Sequence, residues 1–189
     1  MIRLNQYINV YQFYNRIVIL AAGFADTILA ISKQFRCSSD YHNMKLLKSL
    51  LAGFAGAGAL NILHESVRRI DPDAPRIDLL GEQALSKSMK SLNLETPSGN
   101  NLYLATLAGD IVSNGLYYSA IGFGSKKNIY IKGALAGLTA GLGAINIPDK
   151  MDLDDTPVTH TNKTKILTVA WYVIGGLVTA AVLSRLQRA

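Results

Sequence analysis

The sequence predicts an all-α protein, a polytopic transmembrane bundle of about four membrane-spanning helices plus an amphipathic interfacial helix. Two observations on composition and one on patterning support this fold class. Hydrophobic residues make up 49% of the 189-residue chain and charged residues only 17%, where a soluble domain carries roughly 25% charge. Mean hydropathy is a modest +0.20, but the charges gather in a few segments and leave long stretches almost free of them. Those stretches are rich in Leu, Ala and Gly, contain no internal proline and approach the roughly 20 apolar residues that cross a bilayer.

The first predicted span covers residues 49–67, SLLAGFAGAGALNILHESV, and is most polar at its far end. The second covers 102–123, the third 129–147 and the fourth 166–183. The third and fourth lack the broad charged face that a water-facing helix shows. Between the first two spans, Ile77, Leu80, Ala84, Leu85, Met89 and Leu92 recur at helical spacing, with Glu82, Lys87 and Lys90 on the other side. This is the expected amphipathic helix, lying in the membrane interface or packed over the bundle mouth. Asp73 is placed to cap it, and Pro75 suits its first turn.

Residues 44–189 form the predicted membrane domain and residues 1–43 an N-terminal extension of different character, crowded with Tyr and Asn. Within the extension, residues 17–31 are apolar but short, and Asp26 interrupts them, so a short helix, a signal-like segment or an extra span all fit. Met44-Lys45-Leu46-Leu47-Lys48 followed by an apolar run has the form of a membrane protein's start and also resembles a signal peptide. Its cleavage would leave three spans and displace the basic turn between the second and third.

Positive charge sets the expected orientation. Lys45 and Lys48 precede the first span, Lys126, Lys127 and Lys132 mark the turn between the second and third, and Arg185 and Arg188 follow the fourth. Short basic segments beside span ends stay in the cytoplasm, so both ends of the domain are expected there, in a bacterial inner membrane. The net charge of +6 from 19 basic and 13 acidic residues therefore reads as topology. No basic face interleaved with aromatics marks a nucleic-acid binder. The expected partners are the lipid bilayer and either further copies of the chain or a second membrane protein.

Gly133, Gly137 and Gly141 recur at four-residue spacing in the third span, a face on which another helix can pack closely. Ser49, Gly53 and Ala57 in the first span, Ala105, Gly109 and Ser113 in the second, and Gly175, Gly176, Thr179 and Ala180 in the fourth offer similar faces. The run Lys48 to Gly53 echoes Lys132 to Gly137, and each span later reaches Asn-Ile, at Asn61 and at Asn146. A duplicated helical hairpin would produce this echo, and so would chance matching of Gly/Ala-rich spans.

Asp110 is the sharpest candidate for function, because it falls near the middle of a span, where a carboxylate is costly and faces a bundle interior or a wet cavity. Asn114 lies one turn further on. The competing structural role is an interhelical hydrogen bond to Asn61, Asn146 or a threonine. His64 and Glu65, with Asn61 one turn before them, form a second candidate at the end of the first span. They would shuttle protons or hold a metal with Asp110, or simply pair with Arg68 and Arg69. No metal motif, phosphate loop or nucleophile elbow is present, Cys37 is the sole cysteine, and no catalytic activity or cofactor is expected.

The runs GDIVSNGLYYS at 109–119 and TKILTVAWYVIGGLVTA at 164–180 resemble those of small uncharacterised bacterial inner-membrane proteins, over roughly residues 44–189. That resemblance implies a four-helix membrane protein and assigns no functional residue. The sequence thus leaves two functions in view: a structural or accessory membrane component, or a small transporter or channel for protons or a small solute.

Overall fold

A computed structural model describes residues 41–123 and 127–188, and among them every regular element is helical. The apolar segment expected at 17–31, and Lys126 of the basic turn, lie outside the described residues. Helix α1 spans Tyr41–Val67, α2 Ile77–Ser91, α3 Gly99–Ser119, α4 Ile129–Asn146, α5 Thr156–Thr159 and α6 Asn162–Arg188. Short 3₁₀ turns follow α3 at Ala120–Gly122 and α4 at Asp149–Met151.

The boundaries have local causes. Helix α1 begins earlier than the apolar run, because Lys45 and Lys48 sit among Leu, Met and His in a sequence with no breaker. It ends in a tight turn before Asp71-Pro72, where proline cannot continue a helix. Helix α3 starts at Gly99, which takes a left-handed φ of 55°, a conformation glycine adopts without steric cost. Helix α6 is capped by Thr161, whose hydroxyl oxygen accepts the Thr164 backbone N–H at 3.0 Å.

The long helices pack in the spatial order α3, α1, α6, α4, with α1 and α6 at the centre. Glycines set the α4–α6 contact. A Cβ at Gly133 would fall 2.5 Å from the Gly176 carbonyl oxygen, one at Gly137 2.5 Å from Val173 Cα, and one at Gly141 2.7 Å from Val169 Cα. Only a bare backbone fits there, so the predicted stripe is a helix-packing face. On α3 the small-residue face packs no helix among the described residues: Gly109 has open space where its Cβ would be, and Ala105 and Ser113 are exposed. Helix α3 instead packs on α1 through Gly115, which meets the Phe54 ring, and through the buried Ser119.

The interior mixes small and polar side chains with a few large ones. Ser49, Thr164, Thr168 and Thr179 are fully buried beside Leu60, Tyr118, Leu183 and Leu186. The hydroxyls of Ser49, Thr168 and Thr179 return to carbonyls one turn back, which satisfies them within their own helix. Tyr118 donates to the Tyr172 carbonyl at 2.8 Å, tying α3 to α6.

Among the described residues two helices, Met44–Val67 within α1 and Asn162–Arg188, are long and apolar enough to cross a membrane. Helix α3, which carries Asp110 and three asparagines, and the 18-residue α4, which carries Lys132 and Asn146, do not meet the same criterion. Helix α2 is amphipathic as expected, and it packs against α3 and α5. Its cap differs: position Arg76 precedes the first turn without a side-chain cap, while Asp73 pairs with Lys163 and Pro75 is buried against α1. The chain places Asp73 beside α6, beyond reach of the N–H groups it was expected to cap.

Candidate functional site

Two polar networks lie along one side of α1, three to four residues apart and so on a common helix face. The first centres on Asp110. Its Oδ2 accepts the Asn61 side-chain amide from α1 at 2.8 Å, and its Oδ1 accepts the Asn114 amide at 2.9 Å. Asn61 also donates to the Ala57 carbonyl at 3.0 Å, which fixes the amide's orientation. The structure therefore brings Asp110, Asn61 and Asn114 together. Asn146, the sequence echo of Asn61, instead turns back to the Leu142 carbonyl on an exposed face of α4. Among the described residues no cation lies within ion-pair distance of Asp110, and the Thr106 hydroxyl one turn before it is buried without a partner.

The second network centres on Asp78, a residue that sequence reasoning passed over. Arg68 from the turn that ends α1 and Arg76 from the loop both bind its carboxylate, the latter at 2.8 Å. Burial alone would raise the Asp78 pKa. The Arg76 hydrogen bonds and the charges of Arg76, Arg68 and His64 outweigh burial and hold it below the ordinary carboxylate value. The same pairing pushes the Arg76 guanidinium up.

His64 and Glu65 belong to this second network and not to that of Asp110. His64 Nε2 lies 3.0 Å from the Pro75 carbonyl and 3.2 Å from the Ile77 backbone N–H, so it donates to the first or accepts from the second according to its tautomer. Its ring sits 5.6 Å from that of Trp171 on α6. Glu65 takes Arg68 at 2.8 Å, Arg69 at 2.7 Å and the Tyr103 hydroxyl at 3.0 Å. Arg68 also lies 5.4 Å over the Tyr103 ring. Glu65 thus makes the arginine pairs that H-E-x-x-R-R spacing allows, and it adds α3 through Tyr103. Among the described residues no group of three His, Cys, Asp or Glu could hold a metal ion, and His64 does not meet Asp110.

Further pairs fasten the loops to this end of the bundle. Lys163 binds Asp71 at 2.7 Å, and that hydrogen bond is the main cause of the lowered Asp71 pKa. The Arg76 N–H donates to the Pro157 carbonyl at 2.8 Å, and Gln83 exchanges hydrogen bonds with the Asp154 backbone. Because α2 is held from both sides, it covers the end of a large cavity.

That cavity has a volume of about 1100 Å³ and lies between α3 and α4, backed by α1 and α6. Its lining is mostly apolar and small, including Ala105, Gly109, Ala140 and Ala144. The stripe of small residues on α3 therefore lines a hollow and packs no helix among the described residues. Asp110, Asn61 and Asn114 face the hollow midway, and His64, Glu65 and Tyr103 stand toward the end under α2. The arrangement is a helical bundle with a sided cavity whose wall carries three carboxylates, Glu65 and Asp78 paired with arginines and Asp110 held by two amides. Comparisons with family models, with curated proteins and with solved structures find no match.

Proposed function

We propose that the chain is a four-span integral membrane protein acting as a structural or accessory component, of the kind its resemblance to small bacterial inner-membrane proteins implies. One observation supports the membrane reading most: α3 and α4 expose rows of large apolar side chains. Leu104, Val112 and Leu116 on α3, and Ile131, Leu135, Leu138 and Leu142 on α4, are exposed, while Ser49, Thr168, Thr179, Gly133, Gly137 and Gly141 are buried. Large apolar residues outside and small or polar ones inside suit lipid as the surrounding solvent. The basic ends of α1 and α6 then lie in the cytoplasm, with α2 and the acidic loops on the other side.

The Asn61–Asp110 bond favours the accessory role, because it uses the carboxylate to join α1 to α3. The second reading, a transporter or channel for protons or a small solute, is favoured by the same carboxylate's place in a cavity wall without a cationic partner among the described residues. Proteoliposomes separate the two. The accessory reading expects pH-dye and counter-ion flux in wild-type vesicles to equal that of empty ones. Flux present in wild type and lost in Asp110→Asn would replace it with the transport reading.

A further inference from the structure

We propose that the cavity between α3 and α4 binds an apolar organic molecule carrying a single positive charge, with the charge seated at Asp110. The inference concerns the site itself and holds for an accessory or a transporting protein alike.

The electrostatics come first. Among the described residues Asp110 meets two neutral amides and no cation. Each amide contributes one hydrogen bond to one carboxylate oxygen, and an ionised carboxylate has about four lone-pair sites, so acceptor capacity remains on both oxygens. Asn61 and Asn114 hold the group in place without neutralising it. The second network behaves differently: Asp78 and Glu65 are matched by Arg68, Arg69 and Arg76. The negative charge open to an incoming cation is therefore that of Asp110.

The lining determines what kind of cation fits. A hard metal ion needs several oxygen ligands, and the groups nearest Asp110 turn amide N–H toward it. An organic cation needs one counter-charge, aromatic faces and apolar walls. Tyr117 and Tyr172 line the cavity with Asp110, and the small residues Ala105, Gly109 and Ala140 leave room for a body of drug size. Tyr117 donates to the Ala136 carbonyl at 3.0 Å, which holds its ring across the gap between α3 and α4.

The test uses the full chain purified in dodecyl maltoside, with radiolabelled tetraphenylphosphonium as the probe in equilibrium dialysis. Saturable binding at one site per chain is expected, weakened by about tenfold or more in Asp110→Asn, which keeps the shape and removes the charge. Tyr117→Leu, at an exposed position, is expected to weaken binding severalfold through loss of the ring face. If Asp110→Asn does not fold, the Tyr117 variant decides. Absence of saturable binding to folded wild type overturns the proposal. So does a folded Asp110→Asn that binds as wild type does, or, where only Tyr117→Leu folds, unchanged binding by that variant. None of these results bears on membrane insertion or on flux, so the functional reading fails or stands separately.

Discussion

Replacing Asp78 with Asn tests the network that closes the cavity end, and its cost follows from the contacts. The Asp78 side chain is 8% exposed and faces Arg68, which is 19% exposed, and Arg76, which is 45% exposed. Breaking a buried ion pair by removing one partner costs about 3–5 kcal/mol, because the other charge stays desolvated. Two features reduce that here: Arg68 keeps Glu65 at 2.8 Å, and Arg76 can hydrate. A loss of about 2–3 kcal/mol remains, or a Tm lower by about 4–12 °C for a chain of this size. Differential scanning of the purified protein at pH 7 measures it. The acid limb adds a second readout. The folded-state pKa of Asp78 lies below its ordinary 3.8, so its contribution is complete above that value and is lost as pH falls through the lower one. The Tm difference between wild type and Asp78→Asn therefore narrows below about pH 4. A variant melting within about 1 °C of wild type at pH 7 refutes the reasoning, since a change that small corresponds to a surface pair.

Two glycines of similar sequence context should respond in opposite directions. Gly137→Ala drives a Cβ into the α6 backbone and is expected to destabilise by about 1–3 kcal/mol, read as a lower Tm. Gly109→Ala meets open space and gains helix propensity of up to about 1 kcal/mol, so its Tm should hold or rise. Equal losses at both positions would contradict the packing described for α3 and α4.

Much of the helical layout was legible in the sequence, because long proline-free apolar runs leave the chain few alternatives. The third predicted span, 129–147, differs from α4 by one residue, and the second, 102–123, runs past the end of α3 into a 3₁₀ turn. The helix that holds the predicted first span starts before Ser49, since hydropathy does not register that a turn containing Lys45 and Lys48 still continues a helix. The Asn61–Asp110 bond was one of several stated possibilities, and only packing could choose it over Asn146. Asp78 was invisible for a different reason. Its partners Arg68 and Arg76 are separated by a loop whose path no periodicity encodes, and an acidic residue at the start of a helix is unremarkable alone. The small stripe on α3 misled because spacing shows where a neighbour can sit close, not whether one does. H-E-x-x-R, with Tyr103 on the next long helix, was the local signal for the polar end, and it indicated pairing but not location.

Oxygen and Ni-EDDA accessibility of spin labels on α3 and α4 tests the central claim, four helices in lipid, most directly. Single cysteines at Leu116, Leu135 and Leu142, in a Cys37→Ser background and reconstituted in bilayers, would carry the labels, with Ile174 on α6 as the reference. The four-span account predicts oxygen accessibility exceeding that of Ni-EDDA at all four positions, as apolar oxygen partitions into hydrocarbon and the polar chelate does not. Labels on α3 and α4 that favour Ni-EDDA while Ile174 favours oxygen would contradict it and leave two spans.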